Sequence, residues 1–351
     1  MKTLSAAIIL LFASVLARAI DPRAADIAFD AYNSRFYVSN HGLGYYKQDT
    51  DGGRSHFWIR AEQIEMIEDA YDRTHSRATC QLIRHAIAGF VHGHGPDWTT
   101  NVYNDDIMWM TIASARAYQD TGDSADRNLA KQNFDAVYAR GCDDVLGGGL
   151  YWTTDKASKN ACVNGPAAIA ACLLSEICDD KSYLAKAQGL YSWERNALFT
   201  TNGAVHDNQK VNGRVGRKAF TYNEGTFIGA ADLLWKLTGN TNYLADALLA
   251  ANFTRHVLAW DSTLPVYGSG DAAGFNGIFM RWAARFLNDS RLWPQFYQWM
   301  SLNADAAWHV RRADNLSWQD WNSPTPLGTL ESWNCSDTVV ALQVVPSEAQ
   351  R

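Results

Sequence analysis

The chain has 351 residues, 47% of them hydrophobic, with 25 Gly and 8 Pro, which excludes a disordered or fibrous chain and allows a sizeable core. Its formal net charge is -6, with acids and bases interspersed. The electropositive footprint of a nucleic-acid binder is missing, and a neutral partner fits better.

At the N-terminus Lys2 supplies a positive charge, positions 4–16 form a short apolar run, and Ala17-Arg18-Ala19 has the small-x-small form of a cleavage site. This reads as a signal peptide over residues 1–19, too short and wrongly flanked to span a membrane. Residues 20–351 then read as one domain. Helix periodicity follows over 24–37, 57–72, 78–92, 106–120, 124–140 and 165–177, then over 181–197, 225–237, 242–258, 277–286, 292–310 and 330–342. Strand-like alternation is scarce, so the expected class is all-α.

An Asn stands before an apolar or small-residue helix at Asn104, Asn164, Asn223 and Asn276, at intervals of 60, 59 and 53 residues. Such a period marks a helix-pair unit that buries its apolar face against its neighbours. Asn is a good N-cap, so these four residues are expected to cap the inner helices of a closed ring at one rim. Twelve helices in six pairs make an (α/α)6 barrel, a six-hairpin toroid.

Asp105-Asp106 opens one of these helices, directly before the apolar Ile107-Met108-Trp109-Met110. Adjacent acids there can simply cap the helix and meet its positive end. With Trp98, Tyr103 and Trp109 nearby, however, at least one carboxyl should be sheltered. Neighbouring sheltered carboxylates push their proton affinities apart. That provides an anion and an acid, the pair that glycosidic cleavage requires.

The segment Tyr103-Asn104-Asp105-Asp106-Ile107-Met108-Trp109 resembles the catalytic motif of glycoside hydrolase family 76, the endo-α-1,6-mannanases. Gly147-Gly148-Gly149-Leu150-Tyr151-Trp152, Asn164-Gly165-Pro166 and Thr221-Tyr222-Asn223-Glu224-Gly225-Thr226 resemble it at matching places. The likeness covers nearly the whole mature chain and suggests a secreted member of the fungal type. It implies an (α/α)6 barrel, a retaining mechanism and a mannan substrate, with Asp105 as nucleophile and Asp106 as acid/base. Adjacent Cα atoms lie about 3.8 Å apart, so the carboxyls can reach the roughly 5–5.5 Å separation of retaining enzymes. Asp105, nearer the first free N–H groups of the helix, is expected to stay the anion, and Asp106 to hold the raised proton affinity.

For substrate binding, Asn104, Asn164, Asn223, Glu224 and Asn276 are candidates to bond sugar hydroxyls. Trp58, Trp109, Tyr151, Trp152 and Trp333 are candidate ring platforms. The histidines at 41, 56, 92, 94 and 206 are too scattered to nominate a base. No calcium loop, zinc spacing, phosphate cradle or Ser-centred elbow is present, so no cofactor or metal is expected.

Six cysteines suggest disulfides in an oxidising compartment, in any of 15 pairings. Sequons at Asn252, Asn288, Asn315 and Asn334 suit a glycosylated secretory protein. The tail lacks the apolar run of a lipid-anchor signal. The expectation is a released, extracellular monomer that acts on α-mannan, with no membrane anchor. The alternatives are a wall mannan transglycosidase, a barrel that cleaves another glycan, and a non-catalytic mannan-binding wall protein.

Overall fold

The computed structural model describes residue 21 and residues 23–347. The expected signal peptide lies outside the described residues. Twelve α-helices form: α1 (Ala24–Phe36), α2 (Phe57–Thr74), α3 (Arg77–His94), α4 (Asn104–Thr121), α5 (Ser124–Gly141) and α6 (Ala161–Ile177), then α7 (Lys181–Ala197), α8 (Thr221–Thr238), α9 (Thr241–Phe253), α10 (Phe275–Ser290), α11 (Trp293–His309) and α12 (Ser332–Val344). No helix among the described residues is long and apolar enough to cross a membrane.

Helices α2, α4, α6, α8, α10 and α12 each pack against the next, and α12 closes on α2. The odd-numbered helices clothe this ring. Five pairs are consecutive in the chain; the sixth is formed by α12 and α1, so it joins the last helix to the first. The architecture is the expected six-hairpin toroid. Short polar turns reverse the chain between partners. Gly122 and Gly239 end α4 and α8 in left-handed backbone, and Asp123, Asp180 and Asn240 cap α5, α7 and α9 through their side chains.

The inner helices are buried almost all round, which small residues permit. In α6, Ala167, Ala168, Ala170 and Ala171 are fully buried, so neighbouring backbones can approach. A Cβ on Gly225 of α8 would sit 2.7 Å from the Cα of Phe279 in α10.

The four Asn residues correct one expectation. None of them caps a helix, because the helices start earlier: α6 begins three residues before Asn164 and α8 two before Asn223, while α4 begins at Asn104 itself and α10 at Phe275. Their buried amides instead bind incoming loops. Asn164 accepts from the Leu150 amide at 2.7 Å and donates to the Leu150 carbonyl at 3.0 Å. Asn104 donates to the Tyr151 carbonyl at 2.8 Å and Asn276 to that of Pro265 at 3.0 Å. Asn223 reaches Asp207 at 3.4 Å.

Two small sheets were not foreseen. β1 (Tyr37–Asn40) pairs with β2 (Leu43–Tyr46), and β3 (Ser158–Asn160), β4 (Asn208–Lys210) and β5 (Val215–Gly216) form an antiparallel sheet. Three residues are too few to show alternation. The disulfide expectation is also corrected, since all six cysteines are free. Cys162, Cys172 and Cys335 are buried instead as small apolar side chains. Of the sequons, Asn288 is exposed on α10, whereas Asn252, Asn315 and Asn334 are partly covered. The Asn334 Oδ1 is wholly buried.

Candidate active site

A cavity of about 880 Å³ opens where the inner helices begin. Trp58 of α2, Asp105, Asp106 and Trp109 of α4, Cys162 of α6, Tyr222 of α8 and Phe275 of α10 all line it, each from the first two turns of its helix. β3 and β4 add Ser158, Asn160, Asn208 and Lys210 to one wall, and connecting segments add His56, Tyr103, Trp152, Asp207 and Asp271.

Asp105 and Asp106 occupy the first turn of α4. One oxygen of Asp105, Oδ2, accepts from the Trp152 indole at 2.9 Å and from the Cys162 thiol at 3.5 Å. Its other oxygen is buried without a partner. Asp106 accepts from the Asn101 amide at 2.8 Å. The chain has two further adjacent aspartate pairs, Asp143-Asp144 and Asp179-Asp180, and neither lines the cavity.

Both carboxyls hold protons more tightly than usual. Burial, then the charge of Asp106, pushes Asp105 up to about 7. Burial pushes Asp106 to about 6, with Asp271 adding to the rise and the Asn101 hydrogen bond opposing it. The order is the reverse of that expected from the helix terminus. Asp105 turns into the crowded cavity floor, and there the loss of water outweighs the helix dipole. The two affinities lie close together, with that of Asp105 the higher.

Loops aim these groups, and one buried and one half-buried cation hold the loops. The Lys159 ammonium, 0% exposed, donates to the carbonyls of Asp143, Val145 and Gly148 and to the Asp143 carboxylate. This fixes the glycine turn that delivers Tyr151 and Trp152. Gly149 has φ +78° and lies so close to Trp193 that a Cβ would stand 2.3 Å from its ring, so only glycine fits. Arg140 donates to the Thr99 and Asn101 carbonyls and to Asn104 Oδ1, which steadies the segment carrying Asn101. Neither cation stands out in the sequence, where each looks like one more surface charge.

Of the expected platforms, Trp58, Trp109 and Trp152 line the cavity. Trp333 lies behind Trp58 at a centroid distance of 4.9 Å and donates to the Asp271 carbonyl. Tyr151 is buried beneath Lys159. Asn104, Asn164, Asn223, Asn276 and Glu224 are buried and do not line the cavity; Glu224 accepts from the Val205 amide at 2.7 Å. The sequence reading missed Cys162, Asp207, Tyr222, Asp271 and His56. Tyr222 was at hand as the residue before Asn223 in a repeated motif, and stacks on Phe275 at 3.8 Å. Among the described residues no group of three or more His, Cys, Asp or Glu could hold a metal ion.

A helical toroid with two carboxyls of raised proton affinity in an aromatic-walled cavity has the constellation of a glycoside hydrolase. The comparisons agree: the family model Glycosyl hydrolase family 76 matches residues 20–349, and the chain belongs to that family. The GH76A α-1,6-mannanase of Salegentibacter sp. HEL1_6 is 30% identical at a TM-score of 0.84, over 92% of this chain and 98% of that one. An inactive variant of that enzyme, with two adjacent aspartates changed to asparagine, is in complex with α-1,6-mannotriose and matches at 29% identity, a TM-score of 0.84 and the same coverage. Dfg5 from Chaetomium thermophilum, in complex with glucosamine, shares the fold at 16% identity and a TM-score of 0.75, over 92% of this chain and 88% of that one. No curated protein matches significantly.

Proposed function

We propose that this enzyme cleaves α-1,6-mannosidic linkages inside mannan chains, with retention of configuration. The observation that carries the reading is the placement of Asp105 and Asp106, which alone of the three adjacent aspartate pairs line the cavity. The Salegentibacter relatives support the substrate: they are α-1,6-mannanases, and one is inactive with two adjacent aspartates replaced.

Asp105 acts as the nucleophile. Two donors grip one of its oxygens and leave the other without a partner, a set carboxylate with an oxygen to spare. Asp106 gives its proton to the leaving glycosidic oxygen as Asp105 bonds to the anomeric carbon. The aglycone departs, and a mannosyl-aspartate remains. Asp106, now an anion, takes a proton from water, which attacks the anomeric carbon and frees Asp105. At rest Asp105 holds its proton more tightly than Asp106 even with the indole and thiol donors in place. The mechanism therefore requires the proton to pass to Asp106 as the substrate binds, while the two donors stabilise the anion left on Asp105. Trp58, Trp109 and Trp152 offer faces to the sugar rings.

We read residues 20–351 as one catalytic domain behind a cleaved leader, a secreted member of the fungal type. The leader-like N-terminal segment and the four sequons support this.

The test is digestion of linear α-1,6-mannan, branched yeast mannan, α-glucan and β-mannan, with product sizing and proton NMR. Early products longer than a disaccharide, first seen as the α-anomer, are expected from linear α-1,6-mannan. Release of mannose alone from the start would refute endo action, and an initial β-anomer would refute retention.

A further inference from the structure

Among the described residues the most exposed of the Phe, Tyr and Trp side chains is Trp260, 82% exposed. It sits in backbone that bulky residues avoid: φ is +51° at Trp260 and +57° at Asp261, two successive non-glycine residues in the left-handed region. Just before them, α9 widens into a π-helical turn over Thr254–Leu258. Wide turns and strained backbone both concentrate at functional places.

The turn is braced. The Asp261 carboxylate accepts from Arg255 Nε and His256 Nδ1, both at 2.9 Å, and its amide donates to the Arg255 carbonyl at 2.8 Å. The next carbonyl, of Ser262, accepts from the Trp299 indole at 2.7 Å. The ring is therefore presented on a fixed mount.

Topology places it on the cavity face. Helix α9 runs antiparallel to α8, whose first turn carries Tyr222 into the cavity, so the end of α9 returns to that face. The segment after Trp260 then leads to Asp271 and Phe275 on the cavity wall.

We propose that Trp260 is a second carbohydrate-binding site, outside the catalytic cavity, that takes a sugar ring of the same polymer whose backbone the cavity cuts. A single aromatic face beside an arginine, a histidine and a carboxylate matches a pyranose, which offers C–H bonds on its face and hydroxyls at its edge. A protein or lipid partner would need a continuous apolar patch; here the exposed apolar company of Trp260 along the turn is Val257 alone, among the exposed polar His256, Asp261 and Ser262. The identity of the polymer rests on the function proposed above.

The experiment is affinity electrophoresis of the full chain through gels containing linear α-1,6-mannan, β-mannan or α-glucan, paired with turnover of α-1,6-mannotetraose and of each polymer. Trp260→Ala should weaken retardation by the hydrolysed polymer about fivefold, the worth of one stacked ring. It should leave tetraose turnover within about twofold, and Trp260→Phe should keep most of the retardation. Unchanged retardation of Trp260→Ala overturns the site. So does an equal loss on tetraose and polymer, which would mean that Trp260 acts through the cavity. If the wild type cuts and binds β-mannan or α-glucan instead, the α-mannan assignment fails, and the same comparison in that gel decides the Trp260 site.

Discussion

The two ends of the toroid both bury acids, and they treat them differently. Deep inside the ring, Glu62, Glu65, Glu68 and Asp69 of α2 are buried against the guanidiniums of Arg116 from α4 and Arg281 from α10. Burial pushes Asp69 up, but Arg281 and Arg116 on either side overcome it and hold the carboxyl below its usual range. Glu62 and Glu68 are not so bracketed, and burial drives both upward, Glu62 to about 8. Beside the arginines, Glu62 and Glu68 thus hold their protons while Asp69 stays ionised. At the mouth, Asp105 and Asp106 have no cation in hydrogen-bond contact, but they border an open cavity, so a proton held there can be exchanged. Burial raises proton affinity at both ends; Asp105 and Asp106 both line the large cavity, whereas the cavity of about 450 Å³ at the far end is lined by Asp69 and Arg281 and not by Glu62 or Glu68.

The largest test of this contrast is removal of either mouth carboxyl. Asp105→Asn or Asp106→Asn should lower turnover of α-1,6-mannan by roughly three to four orders of magnitude, whereas Asp179→Asn, in an adjacent pair away from the cavity, should stay within about twofold. Equal losses in all three would mean that the mouth pair is not the reactive one. In the ring interior, Arg281→Met leaves Glu62 without its guanidinium and Asp69 with that of Arg116 alone. A loss of about 3–5 kcal/mol in stability is expected, read as a fall in thermal midpoint, with specific activity of the still-folded protein at low temperature nearly intact.

A smaller effect should follow from Trp152→Phe, which keeps an aromatic wall but removes the indole donor to Asp105. Turnover should fall about tenfold, in line with the loss of one hydrogen bond to a charged group. The upper limb of the pH profile should also move upward, because the anion on Asp105 has lost a donor. In the wild type, kcat/KM should be bell-shaped with limbs near pH 6 and 7. Both carboxyls are protonated below the lower limb and both are ionised above the upper one. A flat profile from pH 5 to 8 would count against the two raised affinities.

The smallest effect concerns stability. The proton affinity of Asp105 is raised in the folded state, so its contribution is fully present below the unfolded value, 3.8, and is lost as pH rises through about 7. Asp105→Asn should therefore melt a few degrees above the wild type at pH 8 and show no such gain at pH 3.5. A uniform gain at both pH values would point to packing in place of charge.

The ring was legible in the sequence because helix periodicity and a repeat near sixty residues are long-range signals that survive local error. Asp105 and Asp106 were legible because they are adjacent at a helix start. The asparagines were misread for a physical reason: the preference of Asn for N-caps is general, whereas its binding to the backbone of a distant segment, as Asn164 binds Leu150, leaves no mark in local sequence. The ordering of the two proton affinities failed likewise, since helix position is visible in one dimension and crowding at a cavity floor is not. Tyr222, Cys162 and Asp271 come together only when successive inner helices pack side by side.

The closure of the ring is a clasp. The Gln63 amide and the Tyr32 hydroxyl bind Ser332, the Gln343 amide donates to the Ala25 carbonyl, and Trp58 meets Trp333 edge-on, joining positions roughly three hundred residues apart in the chain. A nascent chain emerging from the ribosome can stack five of the six pairs in order, but the sixth must wait for α12. Until then α1 has only the β1–β2 hairpin and side chains of α2 to hold it, and Trp58 lacks Trp333 at its back. The residues that line the cavity, from His56 to Phe275, all precede α12 in the chain, yet the ring that holds them in place is closed only by the last helix.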